Sequence, residues 1–395
     1  MLIMADQLKY LGEAMPRLWE SRYWSVVRPD AIYVWNSKKV KDKLSWYYRV
    51  MNDEAPAKFL IARKVGSNDI DLKDLSLEEL WRLHDSLKTD FRKILDKARM
   101  GRLSLKEVKE MEEPKVSFLD VKIEIANHIL KECRFCEWRC GVNRHEKRGV
   151  CRLGVKSYVT TYFLHLGEEA PLVPSGTIFY GSCNFRCVYC QNYDISQLDP
   201  YSGIVVGPKE LASIQEYLRL EGARNINHVG GDPTPNIHNI LASLKYVNIN
   251  VPQLWNSNMY LTPESLKLII DVIDIWLPDF KYGNNKCALR LSAIKNYFEI
   301  ITRNLKIICQ NGDPIIIRHL VLPNHIGCCT KPVLKWISCN CEVALVNIMD
   351  QYRPEFWVAK YPQRYPDIAR RPTYDEINEA YTYADKLGID YREVS

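Results

Sequence analysis

Three thiols within eight residues, Cys183, Cys187 and Cys190 at C-x3-C-x2-C spacing, carry the strongest chemical signal in this chain. Thiolates this close in one loop can converge on three irons of a [4Fe–4S] cluster. The fourth iron then has no protein ligand. An open coordination position is what separates a catalytic metal centre from a closed structural one. A molecule with an adjacent amine and carboxylate can chelate that iron, and S-adenosylmethionine (SAM) has both. Spacing alone also allows a zinc loop, or an electron-transfer cluster completed by a distant fourth cysteine. The surroundings favour the open cluster: the loop follows Gly181 and Ser182 at the end of a predicted strand, and Tyr189 stands immediately before the third cysteine.

A second group, Cys133-x2-Cys136-x3-Cys140 followed by Cys151, lies upstream. Gly141-Val142-Asn143-Arg144 and Gly149-Val150 suit a knuckle that turns around a metal. Four thiolates fit tetrahedral zinc or an auxiliary [4Fe–4S] cluster equally well, and four unrelated buried thiols are the bland alternative. Arg134, Arg139, Arg144, Lys147, Arg148 and Arg152 surround the group and are expected to lower thiolate pKa values. Cys328-Cys329 and Cys339-x-Cys341 are poorly spaced for one metal and read as separate buried or surface thiols. The chain has 13 cysteines. In a reducing compartment such usage points to metal binding rather than to a disulfide framework.

The elements that must position these groups are legible as pattern. Strands are predicted at 177–180, 226–229, 253–257, 275–280, 315–322 and 343–349, and helices at 208–221, 263–272, 331–337 and 374–387. Alternation of this kind argues for a parallel sheet with crossover helices. Six strands are fewer than the eight of a closed barrel. The expected fold is therefore α/β, a partial (βα)6 TIM-like barrel with its chemistry at the C-terminal strand ends; a flat doubly wound sheet is the alternative. Three sections are expected: a mainly helical accessory region at 1–115, a four-cysteine metal-binding segment at 116–171, and the barrel at 172–395. In the first section, Ser76-Leu77-Glu78-Glu79 and Ser104-Leu105-Lys106-Glu107 are capping boxes. Leu80, Leu83, Leu87, Phe91 and Ile94 recur at helical spacing, as on an ordinary packed face.

Hydrophobic residues make up 47% of the chain and charged ones 26%, as expected of a globular protein. The most apolar stretch, 266–277, is interrupted by Asp271 and Asp274, so a transmembrane helix is not expected. Asp6 and Lys9 stand where a secretion signal would need an apolar run. The expected location is the cytoplasm. A net charge of +6 is mild for 395 residues and demands no acidic partner.

The cysteine loop and its flanks, Ser175-Gly176-Thr177-Ile178-Phe179-Tyr180 before it and Gln191-Asn192 after it, resemble the radical SAM superfamily. More narrowly they resemble the PflX-type homologues of pyruvate formate-lyase-activating enzyme. Further stretches carry the same resemblance: Asn225-Ile226-Asn227, Gly230-Gly231-Asp232-Pro233-Thr234-Pro235, Trp255-Asn256-Ser257-Asn258, Leu277-Pro278-Asp279-Phe280-Lys281-Tyr282-Gly283 and Arg318-His319-Leu320-Val321-Leu322-Pro323. It spans about residues 130–395 and leaves the N-terminal section unplaced. The resemblance implies a radical SAM barrel in which Cys183, Cys187 and Cys190 hold a [4Fe–4S] cluster and Tyr189 lies beside the adenine of SAM. It implies that Gly230, Gly231 and Asp232 meet the SAM amino group, although Asp232 stands where the family usually has glutamate and reaches one methylene less far. Asn256, Asn258, Asp279 and Lys281 would then surround the SAM carboxylate and ribose, with Arg318 and Gln351 as further candidates of the same kind. The plainer alternative for Asp279 and Lys281 is an ion pair of little worth. His319 follows Arg318 on a strand, should face the other way, and reads as structural.

The implied activity is reductive cleavage of SAM to methionine and a 5′-deoxyadenosyl radical, which takes a hydrogen atom from a substrate. An external low-potential electron donor, flavodoxin- or ferredoxin-like, is the implied partner. One function hypothesis is activation of a partner protein by installing a glycyl radical. Another is modification of a different small-molecule or peptide substrate. A third, from another class, is a zinc-knuckle nucleic-acid-binding protein built on 133–151 and its arginines; the evenly spread charge argues against it, and neither nucleic acid nor membrane is an expected partner.

Overall fold

The computed structural model describes residues 23–395, so the Asp6 and Lys9 argument lies outside the described residues. Short helices at Tyr23–Val27, Asp30–Tyr33, Lys38–Lys43, Ser45–Met51 and Lys58–Lys64 open the described chain. The first long helix, α1 (Leu77–Arg99), begins at the Ser76 capping box, and the Ser104 box also forms. Its apolar stripe packs as the spacing requires, with Leu80, Leu87 and Phe91 buried against α2 (Phe118–Lys131).

Beyond α2 and the cysteine knuckle come β1 (Ser157–His165), β2 (Ser175–Tyr180), β3 (Ile204–Val206) and α3 (Pro208–Leu220). Then β4 (Asn225–Gly230), α4 (Ile237–Ser243), β5 (Gln253–Ser257), α5 (Pro263–Ile269) and β6 (Ile275–Pro278) alternate strictly. Two helices, α6 (Asn285–Ser292) and α7 (Tyr297–Gln310), lead to β7 (Ile316–Leu320). The rest is α8 (Lys331–Asn340), β8 (Leu345–Met349) and α9 (Tyr374–Lys386).

All six expected strands are present as β2, β4, β5, β6, β7 and β8. The run β2-β4-β5-β6 is parallel throughout, and β7 pairs with β8 in parallel. Parallel bridges Trp276–Ile315 and Asp279–Arg318 carry the sheet from β6 to β7. The order follows the chain without the reversal of a doubly wound sheet, which makes a partial barrel. Two strands not expected from pattern, β1 and β3, extend the other edge in antiparallel fashion, in the order β3-β1-β2.

The N-terminal helices close the barrel from below. Trp35, Val40, Leu44, Tyr47 and Met51 form one apolar cluster with Leu254, Ile275, Leu277, Ile316 and Leu345 from the strands. Each fully buried aliphatic of this kind contributes about 1.5–3 kcal/mol. Polar ties join the same region to the residues just before the strands. Asp274 accepts from Trp46 Nε1 at 2.9 Å, Lys58 N at 3.0 Å and Gln253 N at 2.9 Å. The fully buried Lys58 ammonium meets Asp313 at 2.7 Å, which Arg99 also reaches at 2.6 Å. Burial pushes the Asp274 carboxyl up to about 6 despite Lys58. The open end of the barrel is therefore the C-terminal one.

One expectation about cysteines fails. Cys309 on α7 and Cys341 after α8 form a disulfide, so Cys341 belongs neither to a metal site nor to a set of free thiols. The fold brings these positions, 32 residues apart in sequence, to a Cα separation of 5.4 Å, within the range a disulfide spans. No described helix is long and apolar enough to cross a membrane.

Candidate active site

A cavity of about 240 Å3 opens at the C-terminal strand ends, with Cys183, Cys187 and Cys190 on its wall. Every other residue expected at the site also lines it: Tyr189, Gly230, Gly231, Asp232, Asn256, Asn258, Asp279, Lys281, Arg318 and Gln351. Each sulfur has its own hydrogen-bond partner. Phe185 N donates to Cys183 Sγ at 3.3 Å, Ser292 Oγ to Cys187 Sγ at 2.9 Å, and Cys190 Sγ lies 3.4 Å from Ser196 Oγ. Burial drives the Cys183 thiol well above its usual range, with Asp232 adding to it. Burial also pushes Cys187 up to about 11 and raises Cys190, against the opposing effects of Lys281 and Ser196 respectively. Such thiols stay protonated at neutral pH without a metal, so loading one must expel protons.

The two glycines after β4 serve the chain before any ligand. Gly230 has φ +106°, and a Cβ there would collide with the Tyr180 backbone; a Cβ on Gly231 would collide with the Ser182 carbonyl. Gly231 N donates to Tyr180 O at 2.8 Å and Asp232 N to Ser182 O at 2.9 Å, which pins the start of the cysteine loop. Asp232 is buried, and its carboxylate already accepts from Thr234 N at 2.9 Å, Ser257 Oγ at 3.0 Å and Asn258 N at 2.9 Å. It shapes the strand ends as much as it faces the cavity. Asn258 Nδ2 donates to Asn184 Oδ1 at 2.7 Å and lies 3.6 Å from Cys183 Sγ.

Asp279 and Lys281 pair at 2.6 Å, on the cavity wall rather than on a free surface. Burial opposes the Lys281 charge, yet Asp279 and the Cys187 sulfur outweigh it and hold the ammonium above its usual range. Arg318 also lines the cavity, but its guanidinium is committed: Nε donates to Glu169 at 2.6 Å, and Glu168 takes another N–H. That acid pair, held in turn by Asn227 and Asn347, was not foreseen. Tyr282, Ser292 and Tyr352 were missed as well. Tyr189 and Tyr282 join hydroxyl to hydroxyl at 2.6 Å, and Tyr282 reaches Ser292 Oγ at 2.6 Å, so the aromatic of the loop is wired to Cys187. Tyr352 packs edge-on against Tyr189. His319 faces away as expected, between Phe280 O at 2.8 Å and Thr330 Oγ1 at 2.9 Å.

The knuckle packs directly on this loop. Ser182 Oγ donates to Cys151 O, Arg186 to Val150 O at 2.8 Å, and Trp138 Nε1 to Asn184 O at 2.8 Å. Within it, the Cys140 and Cys151 sulfurs both crowd Gly149, where a Cβ would lie 3.3 and 3.5 Å from them. Cys140 Sγ stands 3.8 Å from Cys133 O. A hydrogen bond from the Cys133 thiol, reinforced by Arg144, lowers Cys140 to about 5, while burial pushes Cys136 up to about 12. The arginines are largely committed to other partners: Arg144 on the buried Pro235 and the Gly154 carbonyls, Arg152 on the Gln197 carbonyl, and Arg139, at the surface, on Glu137 and Glu264.

The donor set at the cavity fits an open iron–sulfur site. Three cysteines line the wall with no fourth cysteine or histidine, and Asn256 Nδ2 is buried there without a partner among the described residues. A model of the radical SAM superfamily matches residues 177–337. An uncharacterized protein of Methanocaldococcus jannaschii is 47% identical over 353 residues, covering 88% of this chain and 98% of its own. Solved structures of related shape include a domain of pyruvate-formate lyase-activating enzyme from Bacteroides vulgatus, at TM-score 0.34 and 11% identity over 42% of this chain and 96% of that one. Streptococcus suis SuiB bound to precursor peptide SuiA matches at TM-score 0.40 and 13% identity, over 82% of this chain and 66% of that one. With its matched core running from β2 into α8 and its three-cysteine loop at the mouth, this chain belongs to the radical SAM superfamily.

Proposed function

We propose that this protein cleaves SAM reductively at a [4Fe–4S] cluster held by Cys183, Cys187 and Cys190 and uses the resulting radical to abstract hydrogen from a substrate. The observation that carries the reading is a trio of sulfurs, Cys183 buried and Cys187 and Cys190 half-buried, each with its own hydrogen-bond partner, on the wall of a single cavity. A cluster held by Cys183, Cys187 and Cys190 would relay the donor's electron and would offer an open coordination position to the amino acid end of SAM. The protein's residues do the rest. The unpaired Asn256 amide and the Asp279–Lys281 pair offer polar contacts to the methionine and ribose portions. Tyr189, fixed by Tyr282 and Tyr352, offers a face to the adenine. Arg318, held by Glu168 and Glu169, serves as a charged wall rather than a free anion ligand. The closed lower end restricts access to one mouth. An external low-potential donor supplies the electron.

The motif resemblance supports a glycyl radical partner protein as the substrate. The 133–151 knuckle is proposed to hold a metal of its own, zinc or an auxiliary cluster, on the strength of the Cys140 and Cys151 sulfurs that both face Gly149.

Anaerobic reconstitution with iron and sulfide, then reductant and SAM, tests the reading. 5′-Deoxyadenosine should form and should disappear when any one of Cys183, Cys187 or Cys190 becomes Ala. Turnover by all three variants would refute it. Release of 5′-deoxyadenosine without a glycyl radical signal on candidate partner proteins would move the substrate to the small-molecule or peptide class. Metal that persists in those variants and leaves with Cys136→Ala would place it at the knuckle.

A further inference from the structure

Outside the cavity, one more set of soft ligands converges. Cys287, His325, Cys328 and Cys329 bring one ligand atom each into a group whose members all lie within 4.8 Å of one another. The separations have the dimensions of a coordination polyhedron. Cys328 Sγ lies 3.9 Å from Cys287 Sγ and 3.9 Å from Cys329 Sγ. His325 Nδ1 lies 3.2, 3.6 and 3.7 Å from the sulfurs of Cys328, Cys287 and Cys329. Tetrahedral zinc with Zn–S of about 2.3 Å and Zn–N of about 2.05 Å requires sulfur–sulfur edges of about 3.8 Å and sulfur–nitrogen edges of about 3.6 Å.

A second observation, independent of the ligands, points the same way. His325 Nε2 lies 2.9 Å from Asp367 Oδ2, so the carboxylate accepts the N–H and leaves the Nδ1 lone pair facing the three sulfurs. A carboxylate behind the ligating imidazole is the usual outer support of a metal-bound histidine. Asp367 is itself gripped by Arg290, whose charge offsets the excess of negative groups. Asn284 Nδ2 adds a donor 3.3 Å from Cys287 Sγ. The backbone suits the purpose: Cys328 and Cys329 sit on the wide turn Ile326–Thr330, which closes through Thr330 N to His325 O at 3.2 Å. Turns of this width recur at functional sites.

We propose that Cys287, His325, Cys328 and Cys329 form a site of three thiolates and one imidazole for a divalent zinc ion. The site clips α6 to the turn after β7. α6 carries Cys287 at one end and, at the other, Ser292, the donor to Cys187; Arg186 N and Val188 N of the catalytic loop bond to Ser292 O and Leu291 O at 3.0 and 2.9 Å. The ion thereby fixes the helix on which the cluster loop rests. The site is separate from the knuckle and from the cavity, and its existence does not depend on radical chemistry.

The test uses the full chain carrying Cys136→Ala, which disables the knuckle. Elemental analysis should find one zinc per chain, and zinc X-ray absorption should show three sulfurs at about 2.3 Å and one nitrogen at about 2.0–2.1 Å. Adding Cys328→Ser, at an exposed position, should remove most of that zinc. Asp367→Asn leaves all four ligands in place and should weaken zinc retention against a chelator about 10- to 100-fold. Absence of zinc from the Cys136→Ala protein, a shell without three sulfurs, or unchanged retention in Asp367→Asn would each overturn the proposal.

Discussion

At the residue scale, Cys183, Cys187 and Cys190 were legible as a group because all three fall in one loop, so that their meeting on one cavity wall needs no distant contact. The Cys287 group was not, because its members come from two segments 38 residues apart, and only the packing of α6 against the turn after β7 brings them together. The same holds for Arg318. Its place at a strand end could be read, but nothing local tied it to Glu168, 150 residues earlier. Ser292, the donor to Cys187 Sγ, is the sharpest single-residue test of how the protein would tune the proposed cluster. A hydrogen bond to a ligating sulfur favours the reduced, more negative state. Ser292→Ala should therefore lower the cluster's midpoint potential and slow SAM cleavage, as read by a redox titration followed by electron paramagnetic resonance. An unchanged potential would show that the Ser292 contact has no electronic role.

At the element scale, periodicity found all six parallel strands, since each is a short apolar run between turn residues. It missed β1 and β3, whose residues are partly exposed and lie outside the β/α alternation. The fate of the N-terminal helices was also hidden. The stripe of α1 packs against α2, whereas Trp35, Val40, Leu44, Tyr47 and Met51 cover the underside of a sheet formed hundreds of residues later. The polar ties at that junction are testable. Lys58→Met leaves Asp313 and Asp274 buried with one cation fewer, and breaking a buried pair typically costs about 3–5 kcal/mol. Urea denaturation should show a loss of that order. A loss below about 1 kcal/mol would mean that Arg99 alone satisfies Asp313. Gly231→Ala should be worse for the site than for the fold, because its Cβ meets the carbonyl of Ser182 just before Cys183. Reduced iron loading at nearly normal helix content, measured by iron assay and circular dichroism, is the expected signature.

Across the whole molecule, acid should weaken the fold before most carboxylates titrate. Burial lowers His228 and His319 from 6.5 to about 4, and His238 to about 3. A group whose folded pKa is depressed contributes stability above its unfolded value and loses it as pH falls through the window between the two. Each fall from 6.5 to about 4 corresponds to on the order of 3 kcal/mol. Melting temperature should hold steady above about pH 7 and drop between about pH 6.5 and 4. His319→Gln, which keeps polar contacts but cannot charge, should flatten that slope. An equally steep slope in the variant would assign the acid sensitivity to other groups.

The stopper beneath the barrel has a practical corollary for anyone dissecting this protein. Leu254, Ile275, Leu277, Ile316 and Leu345 find their cover in Trp35, Val40, Leu44, Tyr47 and Met51. Trimming the chain to its recognisable catalytic half would leave that greasy floor bare, and the fragment would clump before its iron chemistry could be assayed.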